Sequence, residues 1–355
     1  MRILVTGASG FAGSLLAPRL LCAGHEIVAL ARDPSRVDAG QLMSRAPALA
    51  SRAPALARSR AHGHAPHGED PKLEVVAGDA LTGEGLARAL DGVEVAYYLI
   101  HSMEAPARAG AQPRDAAPFP ERERIAAENF AQAASLAGVR RVVYLGGPVA
   151  SWTAPGTHAA SSRHLASREA VEHILRAAIR DTVVLRASIV IGARSRSFRF
   201  LVRLVERMPV LALPAWRSHR TRPIDARDIT EMLAAAATAG AVAGRSLDVG
   251  GPDILSYGEM ISRIAEAMLL ARPAVGLSVS LTPVAARVAA AIAGEDPELT
   301  TALMESLQGD LLPGGVNGRA HLRAAELLGV ELHSFDSAVE HALREWEEVE
   351  PLAAR

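Results

Sequence analysis

Cysteine is nearly absent from this chain. Cys22 is the only one in 355 residues, which excludes a disulfide framework and any metal site built from cysteines. It lies in an apolar stretch and reads as a buried, inert thiol. Lysine is just as scarce: Lys72 is the single one, and arginine carries the rest of the positive charge. With abundant alanine, that skew points to a GC-rich genome rather than to a function. A surplus of either charge is missing too. The formal net charge is -1, so no basic face, and no nucleic-acid partner, is expected. No uninterrupted apolar run reaches about 18 residues, so no membrane span is expected. Residues 275–293 come nearest, broken by Pro283 and Arg287. The first residues lack the charged, apolar and small-residue layout of an export signal. A cytoplasmic location is the expectation.

What is present is an apolar fraction of 49%, enough for one large α/β domain and a smaller lobe. Residues 2–6 (RILVT) read as a buried strand. A glycine loop, a helix over 14–23 and a second strand over 25–31 follow, which makes a βαβ unit. Residues 39–70 break the rhythm: SRAPALA at 44–50 is repeated at 51–57, and His62, His64 and His67 follow. This stretch is expected to be a disordered insertion; a metal-binding histidine tract is the alternative, without a carboxylate cluster to support it. Strands over 73–77, 93–100, 142–145 and 182–190 then alternate with helices over 83–90, 121–137 and 161–179. That alternation predicts a Rossmann-type, doubly wound parallel sheet. Residues 1–192 form the expected dinucleotide-binding domain, with 223–250 returning to it. Residues 193–222 and 251–355 form a substrate-side lobe.

Gly7, Gly10 and Gly13 lie between a strand and a helix, where glycines let the backbone approach a pyrophosphate and the helix start offers free N–H groups. Ser9 and Phe11 belong to the same loop. The second strand ends at Arg32, with Arg36 a turn later, where an acidic residue would hold the ribose of NAD. Arginine suits a 2′-phosphate instead, so NADP(H) is expected over NAD(H), although Asp33 stands beside Arg32 and reads equally as a turn cap. Asp79 and Ala80, after the third strand, fit an adenine contact or a plain loop start. Leu99, in the fourth strand, is a further cofactor-binding candidate.

These landmarks carry a resemblance. TGASGFAG (6–13), ARDP (31–34), AGDA (77–80), YYLIHSM (97–103), GVRRVVYLGG (138–147), LRASIVIG (185–192), RPIDARDI (222–229) and DVGGPDILSYGEM (248–260) resemble the short-chain dehydrogenase/reductase superfamily. Within it the similarity is to the atypical, NmrA-like NAD(P)H-binding branch, and it covers residues 1 to about 270. The resemblance implies a Tyr-x-x-x-Lys pair with a nearby serine, the lysine lowering the phenol's pKa. This chain departs from that pattern: His164 stands for the tyrosine, Arg168 for the lysine, and Gly146-Gly147 where the serine is usual.

Two readings follow. In the first, His164 is a substitute acid/base, Arg168 holds the ribose, and His101 or His158 also faces the nicotinamide. The protein is then an NADP(H)-dependent reductase of an apolar carbonyl, enone or quinone-like small molecule. In the second it binds NADP(H) without turnover, as a redox sensor for a protein partner. A redox-neutral isomerase, epimerase or dehydratase is a third class. Arg186 needs a salt bridge or a substrate. The stretch 216–222 is read as a solvated rim rather than a substrate grip, and Asp225 and Asp228 as caps of a helix from Ile229. Tyr97, Tyr98, Phe198, Phe200, Met208 and Trp216 line a pocket or, more ordinarily, fill the core. A homodimer stays open.

Overall fold

The computed structural model describes residues 1–50, 72–101, 118–149, 163–276 and 318–348, with 301, 304, 307 and 309–313. The second copy of the tandem repeat, all three of its following histidines, His158 and residues 277–293 lie outside the described residues.

The first half is strand–helix alternation: β1 (Arg2–Thr6), α1 (Phe11–Cys22), β2 (Glu26–Ala31), α2 (Ala39–Ala50), β3 (Leu73–Ala77), α3 (Leu86–Ala89), β4 (Val95–Tyr98), α4 (Phe119–Leu136), β5 (Arg141–Gly146), α5 (Arg163–Ala178) and β6 (Thr182–Arg186). Helix α2 corrects the expected insertion. Its first twelve residues, including the first copy of the repeat, are helical, as an alanine-rich segment favours.

The second half runs β7 (Val190–Ile191), α6 (Arg196–Arg207), β8 (Leu211–Leu213), β9 (Arg220–Thr221), β10 (Ile224–Asp225), α7 (Ala226–Ala236), β11 (Ser246–Asp248), β12 (Leu255–Ser256), α8 (Tyr257–Ala267), β13 (Ala274–Gly276), α9 (Ala320–Leu328) and α10 (Phe335–Glu347). The expected strand over 182–190 is split at residues 187–189: β7 leaves the sheet to pair with β10.

Seven strands form one sheet in the order β11-β6-β5-β4-β1-β2-β3, with every pairing parallel. This is the doubly wound α/β Rossmann-type fold. The order reverses between β1 and β4, and the carboxyl ends there open the crevice in which such folds bind ligands.

Three apolar clusters hold it. One sheet face packs Ile3, Val5 and Tyr97 against Leu16 and Leu20 of α1 and Met232 and Leu233 of α7. The other packs Leu4, Tyr98 and Tyr144 against Phe130 of α4 and Val171 and Leu175 of α5. A third joins Phe198 and Phe200 of α6, Trp216, Tyr257 and Trp346 into the lobe. Helix α9, placed in the lobe by its sequence position, instead lays Ala324, Ala325 and Leu328 on the first face.

The aromatic residues that might have lined a pocket are core: Tyr97, Tyr98, Phe198, Phe200 and Trp216 are all buried, and Met208 packs against the lobe cluster. Cys22 is half-buried rather than buried. No helix among the described residues is long and apolar enough to cross a membrane.

The stretch from 216 to 222 is no solvated rim. His219 Nδ1 lies 2.7 Å from the Leu307 carbonyl, Arg220 pairs with Asp310 at 2.8 Å, and buried Arg222 donates to Pro252 O and to His321 Nε2. It stitches late segments of the chain onto the sheet. Asp225 caps α7 by accepting from Arg227 N. Asp228 does not cap; it accepts from the His333 backbone N–H, and its Oδ1 lies 2.6 Å from His333 Nδ1, anchoring the approach to α10. Arg186 has the salt-bridge outcome, paired with Glu172 at 2.6 Å and with Asp248 at 3.4 Å.

Candidate active site

The glycine loop is shaped by contacts that leave no room for side chains. Gly10 N donates to Gly7 O at 2.8 Å. A β-carbon on Gly13 would lie 2.3 Å from Gly7 O, and one on Gly7 would lie 3.0 Å from Leu99 O. Thr6 Oγ1 donates to Tyr97 O and accepts from Leu99 N, so the loop is fastened to the end of β4. Helix α1 starts at Phe11 with Gly10 as its cap. It has no side-chain cap bond and no acidic residue in its first turn. Those N–H groups are therefore available to a pyrophosphate. Ser9 and Phe11 flank the opening, and Phe11 lies under Gly192, whose β-carbon would meet its ring at 3.0 Å. This cradle fits a dinucleotide.

The ribose end is equally legible. Arg32 and Arg36 are exposed past the end of β2. Asp33 takes the turn-cap role, accepting from Ser35 N and Oγ. Asp79 Oδ1 accepts from Leu81 N, which shapes its own loop. Asn129 of α4, which the sequence reading passed over, donates to the carbonyls of Ala80 and Leu81 and fixes that loop from behind.

Beyond β4 and β5 the structure brings together His101, His164, Arg168 and a residue the sequence reading missed, Glu123. Glu123 lies on α4 with 2% of its side chain exposed, and its Oε1 is 3.2 Å from His101 Nδ1. Arg168 Nη1 is 3.4 Å from Glu123 Oε2 and 3.3 Å from His101 Nδ1. The same guanidinium donates to Ile100 O and Leu145 O and lies 4.8 Å over the Tyr144 ring. Arg168 is 8% exposed and faces protein, so its bonds tie β4 to β5 rather than reach outward to a ribose. Where the serine is usual the packing is close: a β-carbon on Gly147 would sit 3.3 Å from the Arg168 stem.

The two imidazoles differ. The ring of His164 is 5.2 Å from that of His101 and 6.0 Å from Phe119, and its Nδ1 is buried without a described partner. Burial, then the nearby His101 and Arg168, push its pKa down to about 3, so it is neutral at physiological pH. His101 keeps 39% of its side chain exposed. Its pKa is also lowered, by burial first and Arg168 next, while Glu123 pulls the other way. No described contact uses its Nε2. His101, rather than His164, therefore has a partner behind its Nδ1 and, among the described residues, no contact at its Nε2. No group of three metal-binding side chains occurs among the described residues.

Comparison with known proteins gives the family. The model of the NAD dependent epimerase/dehydratase family matches residues 3–250. No curated protein sequence matches the chain. Among solved structures, UDP-glucuronic acid 4-epimerase from Bacillus cereus, in complex with UDP-glucuronic acid and NAD, is similar at a TM-score of 0.65 and 18% identity. The match covers 99% of this chain and 100% of that one. WbmH from Bordetella bronchiseptica, in complex with NAD+, is similar at 0.63 and 17%, covering 99% of each chain. MoeE5 in complex with UDP-glucose and NAD is similar at 0.63 and 19%, covering 98% and 99%. Identities this low establish the fold alone. The matching family is of epimerases and dehydratases, which moves the weight from the expected reductase to the redox-neutral alternative. The finer NmrA-like assignment is not what that family model describes.

Proposed function

Because the chain belongs to the NAD dependent epimerase/dehydratase family, we propose that it catalyses redox-neutral chemistry on a hydroxyl-bearing small molecule, with His101 as its acid/base group. The observation that carries this reading is a pair of adjacent strand ends. The cofactor loop leaves β1 and His101 follows the neighbouring parallel strand β4, two residues after Leu99, whose carbonyl abuts Gly7, so the loop and the half-exposed imidazole lie at neighbouring carboxyl ends of the sheet.

A bound nicotinamide dinucleotide supplies a reversible hydride acceptor in this family. The chain's own groups do the rest. The first turn of α1 holds the pyrophosphate. Nε2 of His101 takes the hydroxyl proton and returns it, work for which an imidazole is suited near neutral pH. Arg168 fixes the ends of β4 and β5 through Ile100 and Leu145. His164 and Phe119 wall the imidazole. Sugar nucleotides, bound by the similar structures, are the first substrates to try.

A second reading has its own support. Arg32 occupies the position where an acidic residue would hold the ribose of NAD; with Arg36 it favours NADP(H), the cofactor of a biosynthetic reductase. One experiment separates the two. The protein is given a trace of dinucleotide with UDP-sugars, and separately NADPH with ketones, enones and quinones. Products are followed by NMR and the nicotinamide by absorbance. Product in molar excess over nucleotide supports the redox-neutral reading. One NADPH consumed per product supports the reductase. Tight nucleotide binding with no product from either panel moves the case to a sensor.

A further inference from the structure

We infer that Glu123 and Arg168 hold His101 Nδ1 from opposite chemical sides, and that Glu123 is the positioning carboxylate that frees Nε2 to take up a proton. This rests on the assignment of His101 as the acid/base group.

Glu123 is out of character with its helix. Its neighbours Glu121, Arg124 and Glu128 form an exposed charge ladder, each with nearly half of its side chain in solvent. Glu123, on the opposite face, is 2% exposed. A buried carboxylate persists only when partners repay its lost hydration. Here they are Arg168 Nη1 at 3.4 Å, Ser167 Oγ at 3.5 Å and His101 Nδ1 at 3.2 Å. Two of these would hold the helices together. The third reaches out to the end of β4, to the more exposed of the two imidazoles.

A carboxylate can only accept and a guanidinium can only donate. His101 Nδ1 lies within reach of both. When Nδ1 carries hydrogen it donates to Glu123, and Nε2 has a free lone pair. When Nδ1 is bare it accepts from Arg168, and Nε2 carries the hydrogen. Neither tautomer leaves Nδ1 without a partner. The step is a proton transfer: the substrate O–H bond breaks, its electron pair stays on oxygen, and an N–H bond forms at Nε2. The imidazolium so formed keeps its Nδ1–H on Glu123, and the reverse step returns the proton.

Among the described residues, Arg168, on α5, and Arg196, at the start of α6, disfavour that cation, and Glu123 favours it. His164, on α5, stays neutral beside it. Removing the Glu123 charge should therefore make His101 harder to protonate.

The test reads the imidazole directly in the apo protein by two-dimensional 15N–1H NMR of labelled histidines. His101 is assigned by its loss in His101→Gln. At neutral pH the wild type should show the Nδ1–H tautomer, and its titration midpoint should fall by about one pH unit or more in Glu123→Gln. An Nε2–H tautomer in the wild type, or a midpoint unmoved in Glu123→Gln, overturns the proposal. Should Glu123→Gln fail to fold, the wild-type tautomer decides alone. The spectra need no substrate, so failure here is distinct from a failure to find turnover.

Discussion

A β-carbon on Gly13 would lie 2.3 Å from the carbonyl oxygen of Gly7, so the cofactor loop closes on itself only because the residue at 13 is glycine. Gly13→Ala must push backbone against backbone, and overpacking of that kind costs about 1–3 kcal/mol. The expected result is a lower melting temperature together with at least a tenfold weaker dinucleotide affinity. A Gly13→Ala protein that binds as tightly as the wild type would remove the loop from the site.

Arg32 is exposed at the end of β2, and the carboxylate beside it is spent on Ser35. A charge-assisted bond to a 2′-phosphate contributes about 1.5–3 kcal/mol. Arg32→Glu is thus expected to weaken NADPH roughly tenfold to a hundredfold while leaving NADH little changed. Fluorescence titration with both nucleotides measures the ratio.

The two histidines separate by substitution. General acid–base catalysis contributes about 10²–10⁴-fold. His101→Gln should lose kcat on that scale with nucleotide affinity unchanged. His164→Gln, which removes a neutral wall of the site, should lose much less. Steady-state kinetics on whichever substrate turns over gives both numbers, and equal losses would contradict the assignment.

Much of the fold was legible in the sequence, because parallel strands announce themselves as short apolar β-branched runs. RILVT and LEVVA fall on β1 and β3 without a residue's error. The helix expected over 83–90 shrinks to Leu86–Ala89 because Gly83 and Gly85 both adopt positive φ and belong to the preceding turn. Helix α6 went unseen since its arginines mask an apolar stripe of Phe198, Leu201, Val202 and Val205, which is plain once its burial is known.

The site was half legible. Glycine spacing exposes a cofactor loop, and the replaced tyrosine and lysine positions pointed at His164 and Arg168. Which of those faces a ligand depends on burial, and the packing that buries them comes from α4 and α5 together. Glu123 looked like one more charge in an acidic and basic run. Its distinguishing trait is which side of the helix it takes, opposite the Glu121–Arg124–Glu128 ladder.

Stability should fall in mild acid. The folded-state pKa of His164 is about 3, and those of His25 and His321 are about 4, each below the usual imidazole value of 6.5 through burial. The unfolded chain then binds more protons than the folded one between those values. Their contribution is fully present above about pH 6.5 and is lost as pH drops toward the folded-state values. Urea midpoints should decline over that window, and less steeply in His164→Gln. A parallel decline in the two proteins would show that folding does not lower the pKa of His164.

The most direct measurement is titration of the folded wild-type protein with NADH and NADPH, followed by nicotinamide fluorescence. The account predicts saturable one-to-one binding of at least one nucleotide, because the first turn of α1 has no side-chain cap and glycines stand where the loop before it turns back on itself. A folded protein that binds neither would contradict the claim that this sheet edge is a nicotinamide dinucleotide site.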